Sequence, residues 1–387
     1  MSIITRHFVL AAGGTGGHMM PAHALGAELV ARGHRVALIT DARGAKIPGL
    51  FEGIQTHILP AGRITGNPLS WPAGGRAILA GRKMALQLFD TFAPSAVIGF
   101  GGYPAFPALI AANSARIPTA VHEQNAVFGR VNRLVAGRVS AIATSYPDTA
   151  RVSARNVGKV ALVGNPVRDE ILELREQPYP ALDGESVFRV LVTGGSQGAN
   201  ILSSVVPDGL ALLPVALRRR LQVTQQCRAE DIERVRARYA ELGIAADLAT
   251  YIGDIPEKLS WTHLVIARAG ASTISELTAA GRPAILIPLP SATDDHQSAN
   301  VREMVAAGGA RAIAQDRFTA VELAKQMQKL GLEPAGLIAA AKAAWGCGRP
   351  FATRDLADLV EKLARPPVVD GLKSDNWGNA PAMGATA

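Results

Sequence analysis

The chain has 387 residues, of which 48% are hydrophobic and 5% aromatic, and it carries a formal net charge of +8. That length exceeds what one hydrophobic core usually serves, so two globular α/β domains are expected. The charge fits an anionic partner such as nucleic acid, an acidic membrane surface or a phosphorylated substrate, and equally a soluble protein that is simply basic; the two cysteines, Cys227 and Cys347, have no paired-ligand spacing, so they indicate neither a disulfide framework nor a zinc site and suit a reducing cytoplasm.

From Phe8 to Ala12 an apolar run reads as a buried strand and breaks into Gly13-Gly14-Thr15-Gly16-Gly17-His18. The glycines allow positive φ and close backbone approach, and free N–H groups at the start of the following helix attract phosphate. No secretory signal pattern is expected ahead of it. Residues 22–32 have helical spacing, Gly33 is a C-cap signal and residues 35–40 form a second strand: a βαβ unit, hence a parallel sheet with a right-handed crossover. Further strands are expected at 56–59, 96–99, 119–122, 141–144 and 161–163, which makes the first half a doubly wound sheet. The uncharged stretch 91–115 contains Pro94, Gly99, Gly101, Gly102, Pro104 and Pro107, which argue against a lipid-exposed helix. Over 61–89, Leu69, Trp71, Ile78, Leu79, Met84 and Leu86 are interleaved with Arg63, Arg76, Arg82 and Lys83. An apolar surface ringed by basic residues suits anionic lipid. A core-facing helix with a solvated basic face explains the same pattern and is preferred on the residues alone.

Gly164-Asn165-Pro166-Val167-Arg168 closes the first half, and residues 170–187, with prolines and mixed charge, read as a hinge and linker. Val190-Leu191-Val192-Thr193-Gly194-Gly195-Ser196-Gln197-Gly198-Ala199 then repeats the strand, glycine turn and helix of the first half. Strands are expected near 189–193, 221–224, 247–252, 263–266 and 284–287, with helices between them that end near Gly348. Residues 351–364 form one more amphipathic helix, and 366–387 read as disordered.

Neither glycine turn is a dinucleotide fingerprint, since Met19 stands where the third glycine belongs, and neither ends in the Gly-Lys-Ser/Thr of a phosphate loop. Gly194-x-Ser196-x-Gly198 does match a hydrolase nucleophile elbow, with Asp254 and His296 in the required order. Against it, the first turn has no matching serine and two parallel halves are not that enzyme's plan, so Ser196 reads better as a donor to phosphate. His18 sits at the mouth of the first turn, where a helix N-terminus favours the neutral imidazole that a general base requires. Gly101-Gly102-Tyr103 and His122-Glu123-Gln124-Asn125 each follow a predicted strand and should converge on the same rim. Their types suit sugar hydroxyls, although each alone is more often structural, Tyr103 above all. Arg268-Ala269-Gly270-Ala271-Ser272-Thr273 opens a helix carrying Glu276, whose carboxylate can accept two hydrogen bonds from a ribose. The plain alternative is an N-cap at Ser272 and a surface charge at Glu276. Asp294-Asp295-His296-Gln297 lacks metal-ligand spacing, and Gln297, donor and acceptor at once, suits a sugar.

In this order the motifs resemble the bacterial peptidoglycan glycosyltransferases that use UDP-N-acetylglucosamine (UDP-GlcNAc) to form lipid II, over about residues 5–365. The resemblance implies a GT-B fold: two Rossmann-like, doubly wound parallel-sheet domains facing a cleft. The acceptor- and membrane-facing domain would span 1–166, the UDP-GlcNAc domain 167–348, and a helix within 349–365 would cross back to the first. By the same resemblance the Ile252 backbone reads the uracil, Glu276 holds the ribose, and Ser196 with Arg168 contacts the diphosphate. Ala271, Ser272 and Gln297 would hold the GlcNAc, with Arg268 and Tyr103 among the substrate-binding residues, and Thr15, Gly16, Gly17 and Asn125 closing on the donor. His18 is the favoured base and Glu123 the other candidate. The implied reaction is inverting transfer to the C4 hydroxyl of the MurNAc of lipid I, in one displacement, without covalent intermediate, cofactor or metal. A lipid-linked acceptor implies peripheral contact with the cytoplasmic face of the plasma membrane, which gives weight to the segment 61–89, and no nucleic acid. Another GT-B transferase, a UDP-GlcNAc epimerase and a non-enzymatic nucleotide-sugar-binding module are the alternatives. Where the family commonly has a Gln-Gln pair, this chain has His296-Gln297.

Overall fold

The computed structural model describes residues 5–14, 16–47, 49–60, 71–183, 185–195 and 198–366. The chain divides into two compact units, Met1–Pro166 together with Phe351–Ala387, and Val167–Pro350.

The first unit runs β1 (His7–Ala11), α1 (Gly16–Ala31), β2 (Arg35–Thr40), β3 (Gln55–Ile58), α2 (Trp71–Phe92), β4 (Ala96–Gly99), α3 (Ala105–Ser114), β5 (Thr119–Glu123), α4 (Arg130–Val135), β6 (Ala141–Thr144) and β7 (Val160–Leu162). Its sheet is parallel throughout, in the order β3-β2-β1-β4-β5-β6-β7. Side chains alternate across a strand, and here both faces are covered. From β1, Val9 and Ala11 pack with Leu88, Phe89 and Leu109 of α2 and α3, while Phe8 and Leu10 pack with Leu25, Leu29, Leu356 and Val360. An apolar run without alternation is the sequence trace of that double burial.

The second unit contains α5 (Asp169–Glu173), β8 (Phe188–Thr193), α6 (Asn200–Ala211), α7 (Val215–Arg218), β9 (Leu221–Gln226), α8 (Ile232–Glu241), β10 (Ala245–Ala249), α9 (Ile255–Trp261), β11 (Leu264–Arg268), α10 (Ala271–Ala280), β12 (Ala284–Ile287), α11 (His296–Asn300), α12 (Arg302–Ala306), β13 (Ala310–Ala312), α13 (Ala320–Leu330) and α14 (Pro334–Gly346). Its parallel sheet has the order β10-β9-β8-β11-β12-β13. In both sheets the first strand lies inside, beside the fourth, so the chain reverses direction across the sheet at the first glycine turn.

The last helix, α15 (Ala352–Leu363), belongs to the first unit. Leu356, Ala357 and Val360 join the core under α1. Arg32 reaches from the end of α1 to Asp358 at 2.6 Å and Glu361 at 2.8 Å. Against the cost of burial, its hydrogen bonds to Asp358, Glu28 and Glu361 hold this guanidinium above its ordinary pKa.

Four local expectations are corrected. Helix α1 begins at Gly16, not at residue 22, because glycines at a helix start lose little where the amides have no intrahelical partner in any case. Residues 169–176 are not linker: Ile171 and Leu174 are buried in the second core, and the Arg175 guanidinium lies 3.7 Å from the Trp345 ring centroid. Strand β10 lies at Ala245–Ala249, ahead of the expected 247–252. Strand β13, Ala310-Arg311-Ala312, was not anticipated, since it has no β-branched residue to mark it. Of the basic segment 61–89, residues 61–70 lie outside the described residues. Helix α2 buries Ala85, Leu88, Phe89 and Phe92, and exposes Arg76, Leu79 and Lys83. No helix among the described residues is long and apolar enough to cross a membrane.

Candidate active site

In the first unit the polar groups gather where β1, β4 and β5 end. His18 is in the first turn of α1, and its Nδ1 lies 3.0 Å from the Gly13 carbonyl oxygen. A carbonyl only accepts, so Nδ1 carries a proton, and any lone pair of the ring is on Nε2. The glycine turn after β4 lies against this group. A Cβ on Gly101, at φ +94°, would come within 3.1 Å of Nε2, and one on Gly102, at φ +77°, within 2.6 Å of the Gly13 oxygen. Gly101-Gly102 is therefore fixed by close approach as much as by conformation.

The segment His122-Glu123-Gln124-Asn125 is mostly internal wiring. His122 is fully buried; its Nε2 donates to the Gly164 carbonyl at 2.9 Å and its Nδ1 accepts from Gln124 Nε2 at 3.0 Å. Burial, with a smaller push from neighbouring His18, lowers its pKa to about 4. Glu123 is 2% exposed. Its Oε1 accepts from Asn125 N at 3.1 Å and Asn125 Nδ2 at 3.3 Å, and its Oε2 from Gly129 N at 2.7 Å and Asn132 Nδ2 at 2.9 Å. Four donors occupy this carboxylate. Asn125 is half-buried beside it, whereas Tyr103, expected to be the most core-like of the set, is 36% exposed. Gly16 and Gly17 open α1; Thr15 lies outside the described residues.

In the second unit Ala271 and Ser272 open α10 behind Gly270, and no side chain caps this start. The buried Ser272 hydroxyl has no partner, nor has the buried Nε of Arg168. Ser272 is thus not the N-cap of the plain reading. Arg168 Nη2 donates to Glu276 Oε1 at 2.9 Å. Burial pushes the Glu276 carboxyl up, against the pull of Arg168. Gln297 Oε1 accepts from Ala269 N at 3.2 Å and Leu289 N at 2.9 Å, so the group it can turn to a ligand is its amide N–H, not both ends. Arg268 is committed internally, donating to the Ile287 and Pro288 carbonyls and to Gln315 Oε1. Ile252 is buried in the segment between β10 and α9. Ser196 lies outside the described residues. Asp294 and Asp295 have φ of 57° and 53°, a left-handed pair that aspartate tolerates, so this acidic pair is accounted for by the turn it makes.

Residues 8–144 match the glycosyltransferase family 28 N-terminal domain, and residues 189–362 match the family 28 C-terminal domain. The chain belongs to glycosyltransferase family 28. It is 63% identical over 380 residues to the UDP-N-acetylglucosamine--N-acetylmuramyl-(pentapeptide) pyrophosphoryl-undecaprenol N-acetylglucosamine transferase of Novosphingobium aromaticivorans, covering 98% of each chain. It is 60% identical over 373 residues to the enzyme of the same name from Erythrobacter litoralis, covering 96% of this chain and 94% of that one. Among solved structures it is similar to MurG of Acinetobacter baumannii, at 29% identity and TM-score 0.73, covering 92% of this chain and 99% of that one. The fold of this family 28 chain is GT-B, with two Rossmann-like parallel sheets.

Two residues of the family 28 chain escaped sequence reasoning. Asp41, at the end of β2, accepts from Gly14 N at 3.2 Å and Gly44 N at 2.8 Å. Gln226, at the end of β9, accepts from Gly194 N at 3.2 Å and donates to the Thr250 carbonyl at 3.4 Å, joining the second glycine turn to the segment that leads to Ile252. Their position at the carboxyl ends of second strands was the available signal.

Proposed function

We propose that this chain transfers GlcNAc from UDP-GlcNAc to the C4 hydroxyl of the MurNAc of lipid I, giving lipid II and UDP with inversion. The identity of 63% to a transferase of that name over 98% of both chains carries the reading. The local chemistry supports it.

In the first unit His18 is the base: Nδ1–H is engaged by Gly13, and Nε2 takes the proton of the attacking hydroxyl. Glu123, with each oxygen already holding two donors, is the group that fixes Asn125 and the turn to Gly129. In the second unit the unpartnered Ser272 hydroxyl and the amides that open α10 suit the diphosphate-linked sugar, and Arg168 brings positive charge to the departing UDP. Glu276 accepts the ribose hydroxyls while its Oε1 holds Arg168, the Ile252 backbone takes the uracil, and Gln297 donates to the sugar. Thr15, Gly16, Gly17, Asn125, Ser196 and Ala271 complete the assigned contacts, with Tyr103 beside the first-unit rim. Arg268 acts by holding the β12 end in place. Helix α2, with Leu79 outward between exposed Arg76 and Lys83, supports peripheral attachment to the anionic cytoplasmic leaflet.

The test is mass spectrometry of the products from purified chain, UDP-GlcNAc and a short-chain lipid I analogue. The disaccharide-linked lipid plus UDP is expected. An epimerised nucleotide sugar, free GlcNAc, or donor binding without turnover would overturn the assignment.

A further inference from the structure

The glycine turn that orients His18 is itself held by a carboxylate, through one peptide group. The Gly13 carbonyl that accepts from His18 Nδ1 and the Gly14 N–H that donates to Asp41 Oδ1 belong to the same peptide unit. That peptide is trans, so its C=O and N–H point in opposite directions, with His18 on one side and Asp41 on the other. Gly14 has φ +86°, the conformation that turns this peptide across the two groups.

We propose that Asp41 is a positioning residue for His18, acting through the Gly13–Gly14 peptide as a carboxylate–peptide–imidazole relay. The inference rests on the reading of His18 as the base and deepens it. A negative charge at the N–H end polarises the amide and makes the Gly13 oxygen a stronger acceptor. That acceptor favours the tautomer with the proton on Nδ1 and the lone pair on Nε2, and it steadies the imidazolium once the proton has been taken. Asp41 is suited to the task. Its side chain is 14% exposed, and Oδ2 is held by Arg43 Nη2 at 3.0 Å. Although burial opposes ionisation, the hydrogen bonds from Gly44, Arg43 and Gly14 keep its carboxyl below the usual range. The alternative, a clamp for the 41–44 turn only, uses the Gly44 and Arg43 contacts and leaves His18 untouched.

The two roles separate by nitrogen NMR of histidine-labelled protein, read at neutral pH together with steady-state kinetics, for wild type, Asp41→Asn and Asp41→Ala. The relay predicts His18 with Nδ1 protonated in wild type and a shift towards the Nε2-protonated form in Asp41→Ala. It also predicts kcat lower by about tenfold or more in Asp41→Ala, with the KM for UDP-GlcNAc within about twofold of wild type. Asp41→Asn keeps an acceptor but not the charge and should fall between, and it carries the test if the alanine variant does not fold. An unchanged His18 tautomer in both variants would overturn the relay, whatever happens to the melting temperature. Failure of the base reading shows elsewhere, as His18→Ala retaining wild-type kcat, and the tautomer measurement still reports on the relay in that case.

Discussion

The two units share a strand order and differ in how certain of the residues singled out for the site are satisfied. At the predicted positions of the first unit, the groups around His18 are already engaged: Glu123 holds four donors, His122 uses both ring nitrogens, and the Gly13–Gly14 peptide is held at both ends. At those of the second, the Ser272 hydroxyl and Arg168 Nε are buried without partners, and the start of α10 has no side-chain cap. Buried polar groups left unpaired cost about 1–3 kcal/mol each, so they persist where something else completes them. On the proposed reading, the residues around His18 hold one reactive group still, while Ser272 and Arg168 keep groups that a ligand would complete.

The sharpest way to break this contrast is His18→Ala. Loss of a positioned base should lower kcat by about a thousandfold while calorimetry finds UDP-GlcNAc affinity unchanged within about twofold. If affinity falls in step with kcat, His18 is a binding residue and the division of labour is wrong. Next in size is Glu123→Gln. Placing an amide NH2 against two of the four donors should cost about 3 kcal/mol of stability, seen as a lower melting temperature, and should disturb the turn from Asn125 to Gly129. His122 gives a comparable effect through pH. Its folded pKa of about 4 lies below the ordinary 6.5, so the stability tied to its neutral form is fully present above pH 6.5 and is lost as pH falls through 4. The total is about 3 kcal/mol, and thermal melts from pH 7 to 4 should show a shallower decline for His122→Gln than for wild type.

The difference between the units also marks what could be read from the amino acids. Strands such as Phe8–Ala11 and Val190–Val192 announce themselves because burial on both faces demands continuous apolar runs. The glycine turns are equally plain, since Gly101 and Gly102 both take positive φ and a Cβ on Gly102 would strike the Gly13 carbonyl. Assigning tasks to polar residues is harder. Glu123, Gln124, Arg268 and Gln297 have the right types for a sugar, yet Glu123, Gln124 and Arg268 and the oxygen of Gln297 are engaged by backbone or neighbouring side chains that spacing does not reveal. Asp41 was missed for the same reason, because the peptide it holds lies 27 positions away in the chain.

The second unit supplies the smaller effects. Ser272→Ala removes a buried hydroxyl that no protein group satisfies, so the melting temperature should hold or rise slightly while the KM for UDP-GlcNAc increases about tenfold. A fall in stability without a change in KM would mean that the hydroxyl serves the fold.

Glu276 gives the finest discrimination, because fold and ligand want opposite things from it. Burial disfavours its ionised form and raises its pKa, with Arg168 pulling the other way. For folding alone, the neutral acid is the better state: the stability tied to it is present at low pH and is lost as pH rises through the folded-state pKa. Ribose hydroxyls, however, need the carboxylate as acceptor. As pH falls through the raised pKa, the KM for UDP-GlcNAc should therefore rise severalfold in wild type, while Glu276→Gln, weak at every pH, loses that dependence. A KM that is flat with pH in wild type, or a wild-type slope retained in Glu276→Gln, would place the ribose contact on another residue and leave Glu276 as the partner that holds Arg168.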